Sequence, residues 1–540
     1  MFDRHFRSRA LAALGETFDL VIVGGGVNGC GILYDAAQRG LSAILLERGD
    51  LASGTSSRSS KLVHGGLRYL KNLQIRTTRM SCRERDRHLA LDPDLVAAVE
   101  FLYPARHSDK TPGWTVEFGL SIYDRLTTER AHHRRLDEAE TRALAPGLDL
   151  ADLDRVLLYR DARVDDARLT WTIAASAYAA GGLVLTRAAV EEGSRDASGR
   201  VRRLRVRDLE TDEVHGVEGR VVLNVTGVGV DAIRERCGLQ GRRLRPSRGS
   251  HLLLAPGRLP LRAAVGFPAA DGRPVFAVPH PEGVLVGTTD VFHEGHDGPL
   301  DDPRPSREEC AYLLAAVQAQ FPSARLAASD VVATFAGLRP ILDDKAKTPS
   351  KASRDEGIWE ENGLLSVAGG KLTTWRTTAE EAVDEALRQL PAERAARALP
   401  CATAGAPLVG RAPVDLAARL ATADHLAPEV AAALARRLRA LADLALDLAH
   451  DASELVPLAG TDLTLAEARV HLRHGAVVRL EDLLVRRTRI GMWTPARAAE
   501  VAPLLRGVCR EELGWSAARF DRELEDCARA LAAYRPDALR

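Results

Sequence analysis

The hexapeptide GGGVNG sets Gly24, Gly26 and Gly29 in G-x-G-x-x-G spacing between the apolar run FDLVIV and a helix-forming segment, and Glu47 closes the next apolar run. Each part of this arrangement has a physical task. The first glycine permits a tight turn, the second lets a pyrophosphate approach the backbone, and the third allows close helix packing while the helix N-terminus faces the phosphate charge. Glu47 then accepts hydrogen bonds from a ribose. Strand, turn, helix, strand and acid in that order predict dinucleotide binding, without deciding between FAD and NAD. No second motif of this type follows, so electrons are expected from a small substrate rather than a separate NAD(P)H module. NVTG (224–227) reads either as a strand returning to the cofactor unit or as an ordinary strand-to-turn junction.

Three other stretches carry reactive groups. SSRSSKLVHGGLRYLKN (56–72) crowds serines, cations and His64 around a Gly-Gly pair just after the nucleotide unit. GGKLTTWR (369–376) puts Gly-Gly before a helix, with Lys371 as one of only seven lysines in an arginine-rich chain. A lysine held in such a motif points to a compact ammonium at a charge-bearing site. His251 opens an apolar strand in RGSHLLL, where it is either a structural histidine or a base.

GTSSRSSKLVHGGLRYL (54–70), VDDARL (164–169), GSHLLL (249–254), GTTD (287–290), GLRPILDD (337–344), SRD (353–355) and GGKLTTWR occur in the order found in FAD-dependent glycerol-3-phosphate dehydrogenases, and the chain resembles a bacterial member of that family. The likeness spans about residues 18–395 and, more weakly, RRTRIGMW (486–493). It implies a flavin fold of the D-amino-acid oxidase and glycine oxidase type, α/β, with a Rossmann-like FAD domain, an antiparallel substrate sheet and a C-terminal helical domain. It implies oxidation of sn-glycerol 3-phosphate to dihydroxyacetone phosphate, with hydride passing from C2 to flavin N5 and electrons to a membrane quinone. By resemblance, Thr55, Ser56, Ser60, Leu62, Val190, Gly227, Leu372 and Thr373 join the glycine turn and Glu47 in holding noncovalent FAD. Arg68, Tyr69 and Arg354 reach the substrate, and His251, Arg339 and Lys371 are catalytic.

Bottom-up chemistry agrees with that assignment. A phosphorylated polyol carries close to two negative charges, which guanidinium forks bind bidentately. The alcohol loses a proton and a hydride, so a base belongs beside C2. His251 is the candidate base, Arg339 an alternative stabiliser of the alkoxide, and Lys371 a positive charge beside the ring or the substrate hydroxyl. One departure is Val228-Gly229, where the family commonly has Pro-Trp after Gly. An oxidase using oxygen, and a flavoprotein of the same fold with a sensory or RNA-modifying role, are the rival readings.

The elements that must position these groups follow from periodicity. Strand 18–23, helix 27–39 stopped by Gly40, and strand 42–47 form one βαβ unit. Residues 75–110 read as helical. Short runs separated by Gly and Pro from 246 to 292 predict an antiparallel sheet. Residues 399–413 are a small-residue linker, followed by a helical region in which Thr494 is a candidate N-cap, Pro495 the first helical residue and Gly514 the stop. The expected division is a discontinuous FAD domain (15–90, 155–230, 330–398), a substrate domain (91–154, 231–329) and a helical domain (414–540).

Composition sets the bounds. Lys plus Arg and Asp plus Glu each total 74, so no bulk charge draws the chain to nucleic acid. Seven scattered cysteines without C-x-x-C pairs fit reduced, mostly buried thiols and no metal site. No apolar run reaches the roughly 18 residues of a membrane span, and the arginine-bearing start is too short for a secretory signal. The expectation is a cytoplasmic protein, peripheral on the inner face of the cell membrane, with a homodimer as one oligomeric option. Trp114, Phe118 and Tyr123 form either an interfacial surface or core, and the arginines of VRRTRIGMW face either lipid headgroups or solvent.

Overall fold

The computed structural model describes residues 1–67, 74–128, 132–343, 357–422 and 426–539. Strand Thr17–Val23 is buried along its whole length after Thr17, which suits a central strand of a parallel sheet covered on both faces. It pairs in parallel with Ala43–Glu47 and Val214–Asn224. Leu183–Thr186 and Leu364–Ala368 extend the sheet in parallel on either side. The antiparallel strands Ala188–Arg195, Val201–Asp208 and Gly357–Glu361 bring it to eight strands among the described residues. Helices Val27–Gln38, Asp166–Ala179 and Trp375–Gln389 cover it, their Leu33, Ile173 and Val383 packing in one cluster with Leu45 and Leu223. Gly40, at φ +76°, turns the chain out of the first helix.

The second sheet has ten strands among the described residues and is largely antiparallel. Ser247–Leu254 is its pivot, paired with Gly283–Gly287 on one side and Val331–Arg339 on the other. Leu62–Val63, Leu153–Val164 and Val331–Arg339 all belong here, although the sequence places residues 62–63, 155–164 and 331–339 with the cofactor unit. The chain passes from one sheet to the other at each of these strands.

Residues 96–106, expected to be helical, form the eleven-residue strand Val96–Arg106. It pairs with Leu153–Val164 from Val96↔Val164 to Arg106↔Leu153, and that long ladder overrides the helix preference of Ala and Glu. The C-terminal region is helical, from Leu416–Ala421 to Ala517–Ala532. Its Leu484, Trp493 and Phe520 pack against Leu253, Leu285 and Phe335 of the second sheet. Residues 494–514 are interrupted rather than a single helix, and the Thr494 hydroxyl donates back to Ile490 O (3.2 Å) instead of capping. Pro495 does open its helix, and Gly514 closes the stretch at φ +67°.

All seven cysteines are free and only Cys401 is partly exposed. No helix among the described residues is long and apolar enough to cross a membrane. On helix Gly113–Leu126, Trp114 and Phe118 are each 62% exposed while Tyr123 is buried, its hydroxyl bonded to Asp161. The core reading therefore holds for Tyr123 and not for Trp114 and Phe118.

Candidate active site

A cleft of about 840 Å³ is lined by residues from both sheets and from the C-terminal helices. The glycine turn forms one wall. Gly24 has φ +115°, and a Cβ there would lie 2.6 Å from Val225 O. Gly26 is the N-cap position of helix Val27–Gln38. Gly29 does not line the cleft; a Cβ on it would lie 1.9 Å from Gly24 O, so it permits the helix to close on the turn. Gly25 has a task that its "x" position concealed. A Cβ there would meet Glu47 Cγ at 2.9 Å, and Gly25 N donates to Glu47 Oε2 (2.6 Å). Gly49 N donates to Glu47 Oε1 (2.6 Å), and burial pushes the carboxyl up despite these two donors. Both oxygens of Glu47 thus keep only part of their acceptor capacity for a ribose.

The serine-rich turn resolves into specific bonds. Thr55 Oγ1 donates to Leu338 O (2.6 Å), tying the turn to the second sheet. Ser56 Oγ accepts from Val27 N (2.9 Å), satisfying one orphan donor of the phosphate-facing helix. Ser60 Oγ is 2.9 Å from His251 Nε2. Leu62 lines the cleft beyond the turn, and Val190 and Gly227 line it from the first sheet's side. The turn Gly227–Gly229 includes the departure noted above, and a Cβ at Gly229 would touch only Thr226, at 3.5 Å.

Gly369 and Gly370, at φ +80° and +77°, swing the chain from strand Leu364–Ala368 into a 3₁₀ turn, Leu372–Thr374, that precedes helix Trp375–Gln389. Lys371 and Leu372 line the cleft, and Thr373 Oγ1 accepts from His64 N (3.1 Å). A short turn rather than the long helix itself therefore presents its N–H groups here. Asn28 Nδ2 donates to Gly369 O (3.4 Å), while its Oδ1 is buried with no hydrogen-bond partner among the described residues. The glycine wall, the acid at the strand end and this orphaned polar atom fit an FAD-sized dinucleotide, which Gly24–Gly26, Glu47, Ser56 and the 369–373 turn would hold.

His251 is 2% exposed on the pivot strand, between Gly287 and Phe335. A Cβ at Gly287 would lie 2.2 Å from His251 Cδ2, so only glycine leaves the ring room. Phe335 stacks on it at 4.7 Å and 13°. Burial first, then the charges of Arg339 and Lys61, hold the imidazole well below its ordinary range, because each of them disfavours the imidazolium. Arg339 ends the neighbouring strand; its Nη2 donates to Thr288 Oγ1 (3.0 Å) and its Nη1 to Asp290 Oδ1 (3.2 Å). A Cβ at Gly249 would lie 2.4 Å from Arg339 Nη2, so this glycine admits the guanidinium. Arg68, Tyr69 and Arg354 lie outside the described residues.

Sequence reasoning missed the contribution of the C-terminal region. Glu481 and Arg486 line the cleft. Arg486, Arg487 and Arg489 face neither lipid nor solvent: all are buried, Arg486 and Arg487 on Asp50 and Arg489 on Asp166. Their spacing in RRTRIG carried no helical stripe that would have shown it, because they project from a π-helical turn, Asp482–Arg487, and the kink after it.

The FAD-dependent oxidoreductase family matches residues 19–376, and the C-terminal domain of alpha-glycerophosphate oxidase matches residues 401–520. An aerobic glycerol-3-phosphate dehydrogenase of Staphylococcus haemolyticus is 36% identical over 400 residues, covering 73% of this chain and 71% of that protein. The structure of glycerol-3-phosphate dehydrogenase from Bacillus halodurans complexed with FAD aligns with a TM-score of 0.80 at 30% identity, over 100% of this chain and 99% of its own. Glycine oxidase from Geobacillus kaustophilus, at 21% identity and a TM-score of 0.51, covers 70% of this chain and 96% of its own and shares the flavin fold. Family, architecture and cleft converge: the chain belongs to the aerobic glycerol-3-phosphate dehydrogenase family of FAD-dependent oxidoreductases.

Proposed function

We propose that the protein oxidises sn-glycerol 3-phosphate to dihydroxyacetone phosphate and passes the electrons to a membrane quinone. The observation that carries this reading is a buried His251 within hydrogen-bond distance of Ser60 Oγ, in the same cleft as Arg339, Lys371 and a glycine turn of dinucleotide-binding type. FAD, when bound, supplies the acceptor for the two electrons and the hydrogen leaving C2. The chain's own residues do the rest. Arg68 and Arg354 take the phosphate as guanidinium forks, and Tyr69 adds a hydroxyl. The C2 hydroxyl proton passes by way of Ser60 Oγ to His251 Nε2, which lies 2.9 Å from that hydroxyl. Arg339 and Lys371 place positive charge where the oxygen becomes anionic. The Asp290 and Thr288 partners of Arg339 hold the guanidinium in place before substrate arrives.

The quinone and the membrane surface belong to this proposal. Trp114 and Phe118, exposed four residues apart on one helix, suit a lipid interface. Flotation with anionic vesicles should be lost in a Trp114→Ala, Phe118→Ala double variant. Anaerobic addition of glycerol 3-phosphate should bleach the bound flavin of the wild type, and far more slowly that of Arg339→Ala and Lys371→Ala. Full loading with FAD but no bleaching would overturn the substrate assignment. Faster turnover with oxygen than with a soluble quinone analogue would make the protein an oxidase.

A further inference from the structure

The group that sets Ser60 against His251 is itself built around a buried carboxylate shared by two cations. Asp166, wholly buried, receives Lys61 Nζ (2.8 Å) and Arg489 Nη2 (2.9 Å) on Oδ1. Its Oδ2 receives both the backbone N–H (2.9 Å) and the hydroxyl (2.7 Å) of Ser59. Ser57 O accepts from the same two cations, each at 3.1 Å. Ser59 Oγ in turn accepts from Lys61 N (3.0 Å). The turn from Ser57 to Lys61 is thereby held at three points, and Ser60, in the middle, has its hydroxyl on the imidazole.

Two details show that this is a device for holding position. Lys61 is a non-glycine residue at φ +56°, a conformation that persists only when surroundings over-determine it. Its ammonium also lies 5.2 Å from the centre of the Phe335 ring, whose face stacks on His251. Lys61 therefore approaches the histidine twice, through the Ser60 backbone and through the aromatic ring. Arg489 is contributed by the C-terminal helical region, 323 residues from Asp166.

We propose that Arg489 is a positioning residue for the oxidation: with Lys61 it clamps Asp166, and Asp166 fixes the turn whose Ser60 hydroxyl orients His251. The C-terminal region is on this account part of the active-site architecture. The inference rests on the assignment of His251 as base under the proposed function. The charged groups facing His251 are Arg339, from strand Val331–Arg339, and Lys61, from the serine turn; strand Gly283–Gly287 presents Gly287 to it. Loosening the clamp admits water to the imidazole and draws its protonation upward toward the ordinary range.

The test uses holoenzyme carrying Arg489→Met, Arg489→Lys or Ser59→Ala, with FAD content, kcat, KM for glycerol 3-phosphate and the pH profile of kcat/KM read for each. Arg489→Met should keep FAD, lose about tenfold to a hundredfold in kcat with KM nearly unchanged, and move the acidic limb of the profile to higher pH. Arg489→Lys should recover most of both effects, and Ser59→Ala should reproduce them more weakly. The proposal is overturned if kcat falls only in proportion to lost FAD or lost fold, if the acidic limb stays in place, or if lysine is no better than methionine. Should Arg489→Met fail to fold, Ser59→Ala decides by the same limb: a shift to higher pH supports the proposal and an unmoved limb overturns it. Failure of the functional reading looks different: the wild type itself would not reduce its flavin with glycerol 3-phosphate. A His251→Gln variant that keeps the wild-type acidic limb would remove the base assignment and this inference with it.

Discussion

Arg487 grips Asp50 with both terminal guanidinium nitrogens, Nη1 to Oδ2 at 2.8 Å and Nη2 to Oδ1 at 2.7 Å, with Asp50 only three residues past Glu47. Arg486 Nε adds a third donor at 2.5 Å. All three residues are buried, so removing the carboxylate takes the bidentate partner from Arg487, while Arg486 keeps Asp482 and Glu481. Asp50→Ala should destabilise the fold by about 3–5 kcal/mol and lower FAD retention, since the same loop carries Glu47. A thermal shift and the flavin-to-protein absorbance ratio check this; an unchanged melting temperature refutes it.

Gly25→Ala should weaken FAD without unfolding the chain. The added Cβ meets the side chain of Glu47 rather than backbone, at 2.9 to 3.1 Å, so the acid must move by a few tenths of an ångström. Loss of the geometry at the ribose end predicts about a tenfold rise in the FAD dissociation constant, the worth of roughly one hydrogen bond to a charged group. Titration of apoprotein with FAD measures it, and unaltered affinity would show Glu47 to be uninvolved.

His251 should titrate low. A histidine whose folded value is depressed stays neutral as pH drops below its ordinary ~6.5, so the acidic limb of kcat/KM belongs well under that value. His251→Gln should cost about a hundredfold or more in kcat. Gly287→Ala, whose Cβ would lie 2.2 Å from the ring, should also lower kcat while leaving FAD content intact. An acidic limb near 6.5 would contradict the burial seen around this residue.

Acid should loosen the packing of the C-terminal helices and their contact with the helix that follows strand Leu153–Val164. Burial works against the charge of Glu467, yet Arg437 prevails and its carboxyl falls to about 2. Asp165 behaves alike, brought to about 2 by Arg489, Arg168 and Lys61 against its burial. Both folded values lie below the unfolded ones, so the stability they contribute is complete above about pH 4.5 and disappears as pH falls toward 2. Melting temperature should drop steeply across that window, and less steeply in Glu467→Gln relative to its own value at pH 7. Equal slopes in the two proteins would remove Glu467 from the account.

Much of the cofactor wall was legible because local chemistry dictates it. Gly24, Gly26 and Gly29 sit where spacing demands, and Gly40 ends the helix because only a residue tolerant of φ +76° leaves it cheaply. Strand Val96–Arg106 was hidden because its partner lies some fifty residues later and no local period announces it. Gly287 and Gly249 were unreadable as site residues, since their task is to be absent beside His251 and Arg339. Arg486, Arg487 and Arg489 look like surface cations until Asp50 and Asp166 are known to lie opposite them. Charge in a sequence has no partner until the fold supplies one.

The clasp between Asp50 and Arg487 joins positions 437 residues apart. At translation rates of about 5–20 residues per second, the interval between their emergence is roughly 20 to 90 seconds. Through that time the nascent glycine turn waits on the ribosome with its anion unmatched, and the nucleotide pocket reaches its finished shape only after nearly the whole polypeptide has been made.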